Sequence, residues 1–269
     1  MGYSHELLRL RVAGITFSFL QGEGVRGIEV DAISGPFVTG DRSDVRIRVH
    51  WGVPPPSQVR AGTLLQNDQA KIILDGRFRD GDMYVTLPDA LQDIFLFDRL
   101  HAFLDLAIMT YFIGSGRAVP IHACGIDDNG RGLLFTGPSD SGKTTLANLW
   151  KDRPGATVLS DERLFLRRRE GGFWMYGSLL KSGAILPSPQ GARVDGIFFI
   201  GHAVINAVSP RGAKESAIAL LKQALPYWYY YLDEPYPLGF CVELSQGVPC
   251  ADLGFVPDDR IVDCVRGLA

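Results

Sequence analysis

Apolar and polar residues alternate through much of the first ninety positions. Val12 to Leu20 and Val45 to Val49 carry this period of two, with Arg46 and Arg48 set between Val45, Ile47 and Val49. Such alternation is the mark of half-buried strands. Ile72 to Leu74 and Met83 to Leu87 read as further short strands, separated by the turn residues Asp75-Gly76 and Asp80-Gly81-Asp82. Pro54, Pro55 and Pro56 mark a loop. The pattern predicts a small antiparallel sheet over residues 1–90. It then changes to a helical period. Leu91, Ile94, Phe95, Leu100, Phe103, Leu104, Ala107, Ile108 and Tyr111 recur at helical spacing, and Gly114 to Gly116 closes the segment.

The rest of the chain alternates short apolar runs with turns and helices. Ala118 to Gly125 and Gly132 to Thr136 are predicted strands joined through Asp127 to Gly130. Thr145 to Lys151 reads as the first turns of a helix. Thr157 to Glu162 is an apolar strand ending in two acids. Leu164 to Arg167, Gly172 to Tyr176 and Gly196 to Ile200 follow as strands. Ser209 and Pro210 suggest a helix start, running through Ala213 to Leu225. Phe240 to Leu244 and Ala251 to Phe255 suggest a last hairpin, and Pro257 to Asp259 opens a terminal helix. The expected architecture is α/β: a β-rich region over 1–90, then a domain over 91–269.

The 269 residues are 46% hydrophobic and 21% charged, with a formal net charge of −3. This is ordinary for a soluble globular protein of one large or two small domains. There is no basic excess to attract nucleic acid. Arg167, Arg168 and Arg169 read as a solvated strand end. The most apolar segment, Ala102 to Ile113, contains Asp105 and is too short to span a bilayer, so no membrane is expected. Met1 to Leu20 has charges mixed through it and no signal-peptide core. The four cysteines, at 124, 241, 250 and 264, form no C-x-x-C pair. That spacing argues against zinc and for reduced thiols in a cytoplasmic protein. Cys241 and Cys250 flank the expected last hairpin, where they could face each other or stand as buried thiols.

Candidate chemistry concentrates in Gly137-Pro138-Ser139-Asp140-Ser141-Gly142-Lys143-Thr144, which fits G-x-x-x-x-G-K-[ST] at every fixed position. Its glycines allow a tight turn and close backbone approach to anionic oxygen. Successive N–H groups then face one concavity. Lys143 brings a charge to the outer phosphates, Thr144 a hydroxyl to Mg²⁺, and Thr145 extends the loop into the helix. The strand before and helix after supply the context the motif needs. ATP and Mg²⁺ are the expected cofactors.

Phosphoryl transfer also needs carboxylates near the metal and the incoming hydroxyl. Asp161 and Glu162 stand at a strand end about twenty residues past the loop, where α/β sheets bind ligands. Adjacent strand residues face opposite ways, so one of the two is expected to face the phosphates. His122, one strand before the loop strand, is expected on the same side. Lys181 and Arg211 are candidates by position for a further cation, though a surface role suits each. Pro226 to Tyr231 could line a peptide groove or pack a core.

With these residues in view, the chain resembles a known family. His122-Ala-Cys-Gly, then Gly132 to Thr145, then Leu159-Ser-Asp-Glu, is similar to the catalytic core of HPr serine kinase/phosphorylase. That core is shared with ATP-dependent phosphoenolpyruvate carboxykinase. The resemblance covers about Leu100 to Ala269 and looks closest to HPr-kinase-related proteins of peptide-modification clusters. It implies a P-loop phosphotransferase core with a mixed sheet. Gly137 to Thr145 would hold ATP, and His122 would be the active-site histidine. Of Asp161 and Glu162, one would act as general base and the other would orient Mg²⁺ with Thr144. Glu162 stands where the family has a second aspartate. Phe173-Trp-Met-Tyr-Gly-Ser178 replaces a family signature, which argues against HPr itself as substrate. The expected function is ATP- and Mg²⁺-dependent transfer of the γ-phosphate to a hydroxyl, a serine of a peptide or small protein. A non-catalytic nucleotide-binding module and a small-metabolite kinase remain as alternatives. Family hexamers leave homo-oligomerisation open for a chain whose N-terminal half departs from theirs.

Overall fold

The computed structural model describes residues 5–25, 27–56, 64–66, 70–86, 100–181, 185–228 and 236–268. The side chains of residues 64–66, 100 and 225–228 are not included. The chain is mixed α/β and divides into two compact units, Met1–Gly116 and Arg117–Ala269. The expected limit at residue 90 lies outside the described residues. Among the described residues no helix is long and apolar enough to cross a membrane.

The first unit carries strands β1 (Glu6–Val12), β2 (Ile15–Gln21), β3 (Val45–Trp51), β4 (Leu64–Gln66), β5 (Ala70–Leu74) and β6 (Asp80–Val85), followed by helix α1 (Leu100–Gly114). The run from Val12 to Leu20 is therefore not one strand. Ala13 and Gly14 turn between β1 and β2, both at positive φ. The sheet order is β1-β2-β3-β6-β5-β4. It is mixed, not antiparallel as expected, because β3 runs parallel to both β2 and β6. Alternation reports which face a residue takes; strand direction is set by the connections and leaves no mark on it. Helix α1 packs its aromatic face on this sheet. Phe17 meets Tyr111 and Phe112 edge-on, at ring separations of 5.1 and 5.9 Å.

The second unit contains β7 (Val119–Ile121), β8 (Ala123–Asp128), β9 (Arg131–Thr136), α2 (Lys143–Trp150), β10 (Ala156–Ser160), β11 (Leu164–Arg169), β12 (Gly172–Gly177), β13 (Gly191–His202), β14 (Ala207–Pro210), α3 (Ala213–Trp228), α4 (Tyr236–Gly247), β15 (Cys250–Phe255) and α5 (Arg260–Arg266). Two expectations change here. Ser209 and Pro210 close strand β14 instead of opening a helix, and α3 begins at Ala213. Phe240 to Leu244 is helical, within α4. A five-residue apolar run suits a buried helix face as well as a strand, and here Phe240, Cys241 and Leu244 recur at helical spacing and are buried. The expected hairpin around Cys241 and Cys250 is thus absent, and all four cysteines are free thiols.

Strand β13 organises the sheet. Its first residues pair with β12, and its remainder lies between β9 and β15, parallel to both. Strand β8 runs antiparallel to β9 and to β10. The C-terminal ends of β9, β10 and β13 therefore meet at one edge of the sheet, together with the start of β8. Helices α2 and α5 contribute to one core, where Trp150, Phe135, Phe198, Phe255, Ile261 and Val265 are buried together. Asp128, 6% exposed, ties this core to its rim. It accepts from Arg266 Nη2 at 2.7 Å and from Trp150 Nε1 at 3.4 Å. The Arg266 hydrogen bond leads in holding the Asp128 carboxyl below its usual range, against burial.

Candidate functional site

Residues 137–142 connect β9 to α2, and their backbone is unusual. Gly142 precedes the helix in the left-handed region, at φ 100°. A Cβ there would press into the Phe255 ring, so both conformation and space call for glycine. Asp140 also has positive φ, 61°, a conformation that aspartate tolerates better than most residues. Its carbonyl accepts a hydrogen bond from His202 Nε2 at 2.9 Å. At Gly137 a Cβ would come within 2.8 Å of Ser141 Oγ. The first intrahelical bond of α2 runs from Leu146 N to Gly142 O, 2.9 Å. The amides of Lys143, Thr144 and Thr145 come before it, in the turn whose N–H groups lack acceptors within a helix.

Lys143 is 6% exposed. Its Nζ donates to Gly137 O at 3.0 Å and Pro138 O at 2.9 Å. Burial lowers its pKa, while Glu162 and Asp140 pull it back up. The ammonium is thus held by its own loop at that loop's first two residues.

Three elements fix His122 at the bend between β7 and β8. Its N–H donates to Gln223 O of α3 at 3.2 Å. Its carbonyl accepts from Thr136 Oγ1 of β9 at 3.4 Å. Its Nδ1 lies 2.8 Å from Glu162 O. A carbonyl can only accept, so Nδ1 carries the proton and Nε2 keeps its lone pair. Burial, then the positive charge of Lys143, lowers the pKa of the ring; the Glu162 carboxylate acts against them.

Asp161 and Glu162 follow the last residue of β10. Ser160 Oγ accepts from Glu162 N and Arg163 N at 3.2 and 3.3 Å and shapes the turn. Asp161 is 2% exposed, whereas the Glu162 side chain is 31% exposed. Both line the same cavity. The strand ends at Ser160, and strict alternation of faces ends with it.

That cavity, of about 510 Å³, brings His122, Lys143, Thr144, Thr145, Asp161 and Glu162 together, with Ser139, Asp140 and Gly142 from the loop. Gly137 and Pro138 instead face a second cavity of about 490 Å³. Ser141 is buried, and its hydroxyl has no hydrogen-bond partner among the described residues. Lys181 is exposed and lines neither cavity, while Arg211 lines the second. The side chains of Pro226 to Tyr231 lie outside the described residues. His202 lines both cavities and was not anticipated. Its place at the end of the buried β13 run is legible in the sequence, but the parallel pairing with β9 that carries it to the cavities is not.

Among the described residues no three His, Cys, Asp or Glu side chains form a cage for a metal. Thr144 and Asp161 nevertheless supply oxygen donors to one cavity. Mg²⁺ at triphosphate sites takes one or two protein oxygens and completes its shell with phosphate and water. The donor set fits that mode.

No protein-family model matches the chain, and no curated protein does.

Proposed function

We propose that the second unit is an ATP- and Mg²⁺-dependent kinase with a P-loop phosphotransferase core, acting on a hydroxyl of a peptide or small protein. One observation carries the reading: Lys143 and Thr144 at the head of α2 share a single cavity with Asp161, Glu162 and His122. A glycine-bounded loop with a lysine accounts for phosphate binding alone. Two carboxylates and a neutral histidine in the same cavity add the groups that transfer needs. The likeness of these segments to the HPr kinase core agrees with this reading.

In the mechanism this supports, N–H groups of the loop and of the first turn of α2 donate hydrogen bonds to the phosphate oxygens. Lys143 leaves the Gly137 and Pro138 carbonyls for the β- and γ-phosphates. Thr144 and one carboxylate would hold Mg²⁺, which would supply charge neutralisation at those phosphates. The other carboxylate takes the proton of the acceptor hydroxyl. The hydroxyl oxygen forms a bond to the γ-phosphorus as the bond to the β–γ bridging oxygen breaks, and ADP leaves with that oxygen. His122 offers Nε2 as a neutral acceptor beside the reacting groups, its other nitrogen fixed on Glu162 O.

Asp161→Asn removes a carboxylate without changing side-chain size. Transfer is expected to fall by about 10²–10⁴-fold, the range for a lost general base, with ATP still bound in isothermal titration. Full transfer in this variant would remove Asp161 from the mechanism. ATP binding by the wild type with no transfer to any peptide would leave a nucleotide-binding module.

A further inference from the structure

Strand β13 runs past the end of β9. Its last pair with that strand joins Phe199 to Thr136, and Ile200 to His202 continue beside the loop. These residues stay paired with β15, where His202 stands opposite Phe255. The turn that follows is clipped to the end of the same strand. Ala203 N donates to Phe255 O at 3.1 Å, and Asn206 Oδ1 accepts from Val256 N at 2.8 Å. His202 is thus placed by the sheet and not by the loop it touches.

Its ring backs the loop at two points. Nε2 lies 2.9 Å from Asp140 O. A carbonyl only accepts, so Nε2 carries a proton and donates. Asp140 stands at φ 61°, in a region that is costly for a residue with a Cβ. The ring also lies against Phe255, with centroids 5.6 Å apart, and Phe255 is buried in the core. These two rings border Gly142. A Cβ there would fall 2.4 Å from Phe255 Cζ and 3.5 Å from His202 Cε1. Both left-handed residues of the loop, Asp140 and Gly142, therefore have His202 behind them.

The bonds inside the loop are less durable. Lys143 Nζ donates to Gly137 O and Pro138 O, and Ser141 N donates to Pro138 O at 3.3 Å. Lys143 must leave those carbonyls to reach phosphate, so its two bonds are lost as a nucleotide arrives. The bond from His202 comes from outside the loop and is not given up in that exchange.

We propose that His202 is a positioning residue for nucleotide binding: its Nε2–H holds Asp140 O and, with Phe255, keeps the loop in its left-handed conformation while Lys143 moves from carbonyl to phosphate. The proposal rests on the phosphotransfer reading of the first cavity. A loop held in place loses less entropy when phosphate arrives, which raises affinity.

Three substitutions at this exposed position test it in the full chain. In His202→Gln the amide nitrogen reaches about as far as the histidine Nε2 did. In His202→Asn the donor is shorter by one bond, and His202→Leu fills space with no donor. ATP affinity with Mg²⁺ is read by calorimetry, and loop opening without nucleotide by amide hydrogen exchange of residues 137–145. In His202→Asn and His202→Leu, ATP binding is expected to weaken roughly 3- to 10-fold, the reach of one hydrogen bond, and His202→Gln to stay within about twofold of wild type. Exchange in the loop is expected to quicken in the same two variants and not in His202→Gln. Thermal midpoints are expected to stay together in all four proteins. Equal affinity in all four, an equal loss in all three variants, or faster exchange with unchanged affinity would overturn the proposal. So would a loss of affinity that tracks a falling midpoint, which is the mark of a merely structural role. A wild type that binds no ATP is a separate result: it overturns the first-cavity reading, and this proposal with it.

Discussion

Lys143 and His122 carry the consequences that can be measured one side chain at a time. Lys143 is buried and satisfied by two carbonyls of its own loop. Lys143→Ala removes a charge-assisted hydrogen bond to phosphate, worth about 1.5–3 kcal/mol, so ATP affinity is expected to drop by roughly 10- to 100-fold in calorimetric titration. His122 responds to pH. Its folded pKa lies below the ordinary value of 6.5, so the folded state binds fewer protons than the unfolded chain across that interval. The stability contribution is complete above pH 6.5 and is lost as pH falls towards the lower, folded value. Thermal midpoints of the wild type are expected to decline through this window. In His122→Asn the decline should be shallower; an identical slope would mean that His122 does not titrate there.

At the level of elements, the β9–loop–α2 junction is where backbone conformation meets the candidate site. Gly142→Ala places a Cβ at φ 100° and against Phe255. Strain of this kind costs about 1–3 kcal/mol. A lower thermal midpoint together with weakened ATP binding is expected; an unchanged midpoint would show that the loop relaxes freely. This junction was legible in the sequence because the glycine spacing, the lysine and the apolar strand run each demand the same local geometry. The β8–β9 hairpin was legible for the same reason, since Asp127 to Gly130 is a turn signal between two apolar runs. Phe240 to Leu244 was not, because five apolar residues satisfy either period. His202 was missed although its strand was found. It is brought to the cavity by the parallel pairing of β13 with β9, a long-range relation invisible to local pattern.

For the whole molecule, the two units differ in what they bring to the candidate site. Every residue lining either cavity belongs to Arg117–Ala269. This unit, produced alone, is expected to fold cooperatively and to bind ATP within a few-fold of the full chain. Circular dichroism melting and calorimetry would check both, and a large loss of affinity would show that the first unit is required. The mixed sheet of the first unit was only half legible: its strands follow from alternation, but the parallel pairing of β3 with β2 and β6 depends on where the connections carry the chain.

The hydrogen bonds between Asp128 and Arg266 join positions 138 residues apart. The hairpin that carries Asp128 is made early in the unit, yet the helix that covers its core comes last. Trp150 and Phe135 share their core with Ile261 and Val265, so that core is complete only once α5 has been synthesised. Closing so long a loop must precede the reward of packing it. On the ribosome, this unit is therefore expected to complete its core late, and a chain stalled before α5 is expected to expose part of that core to chaperones.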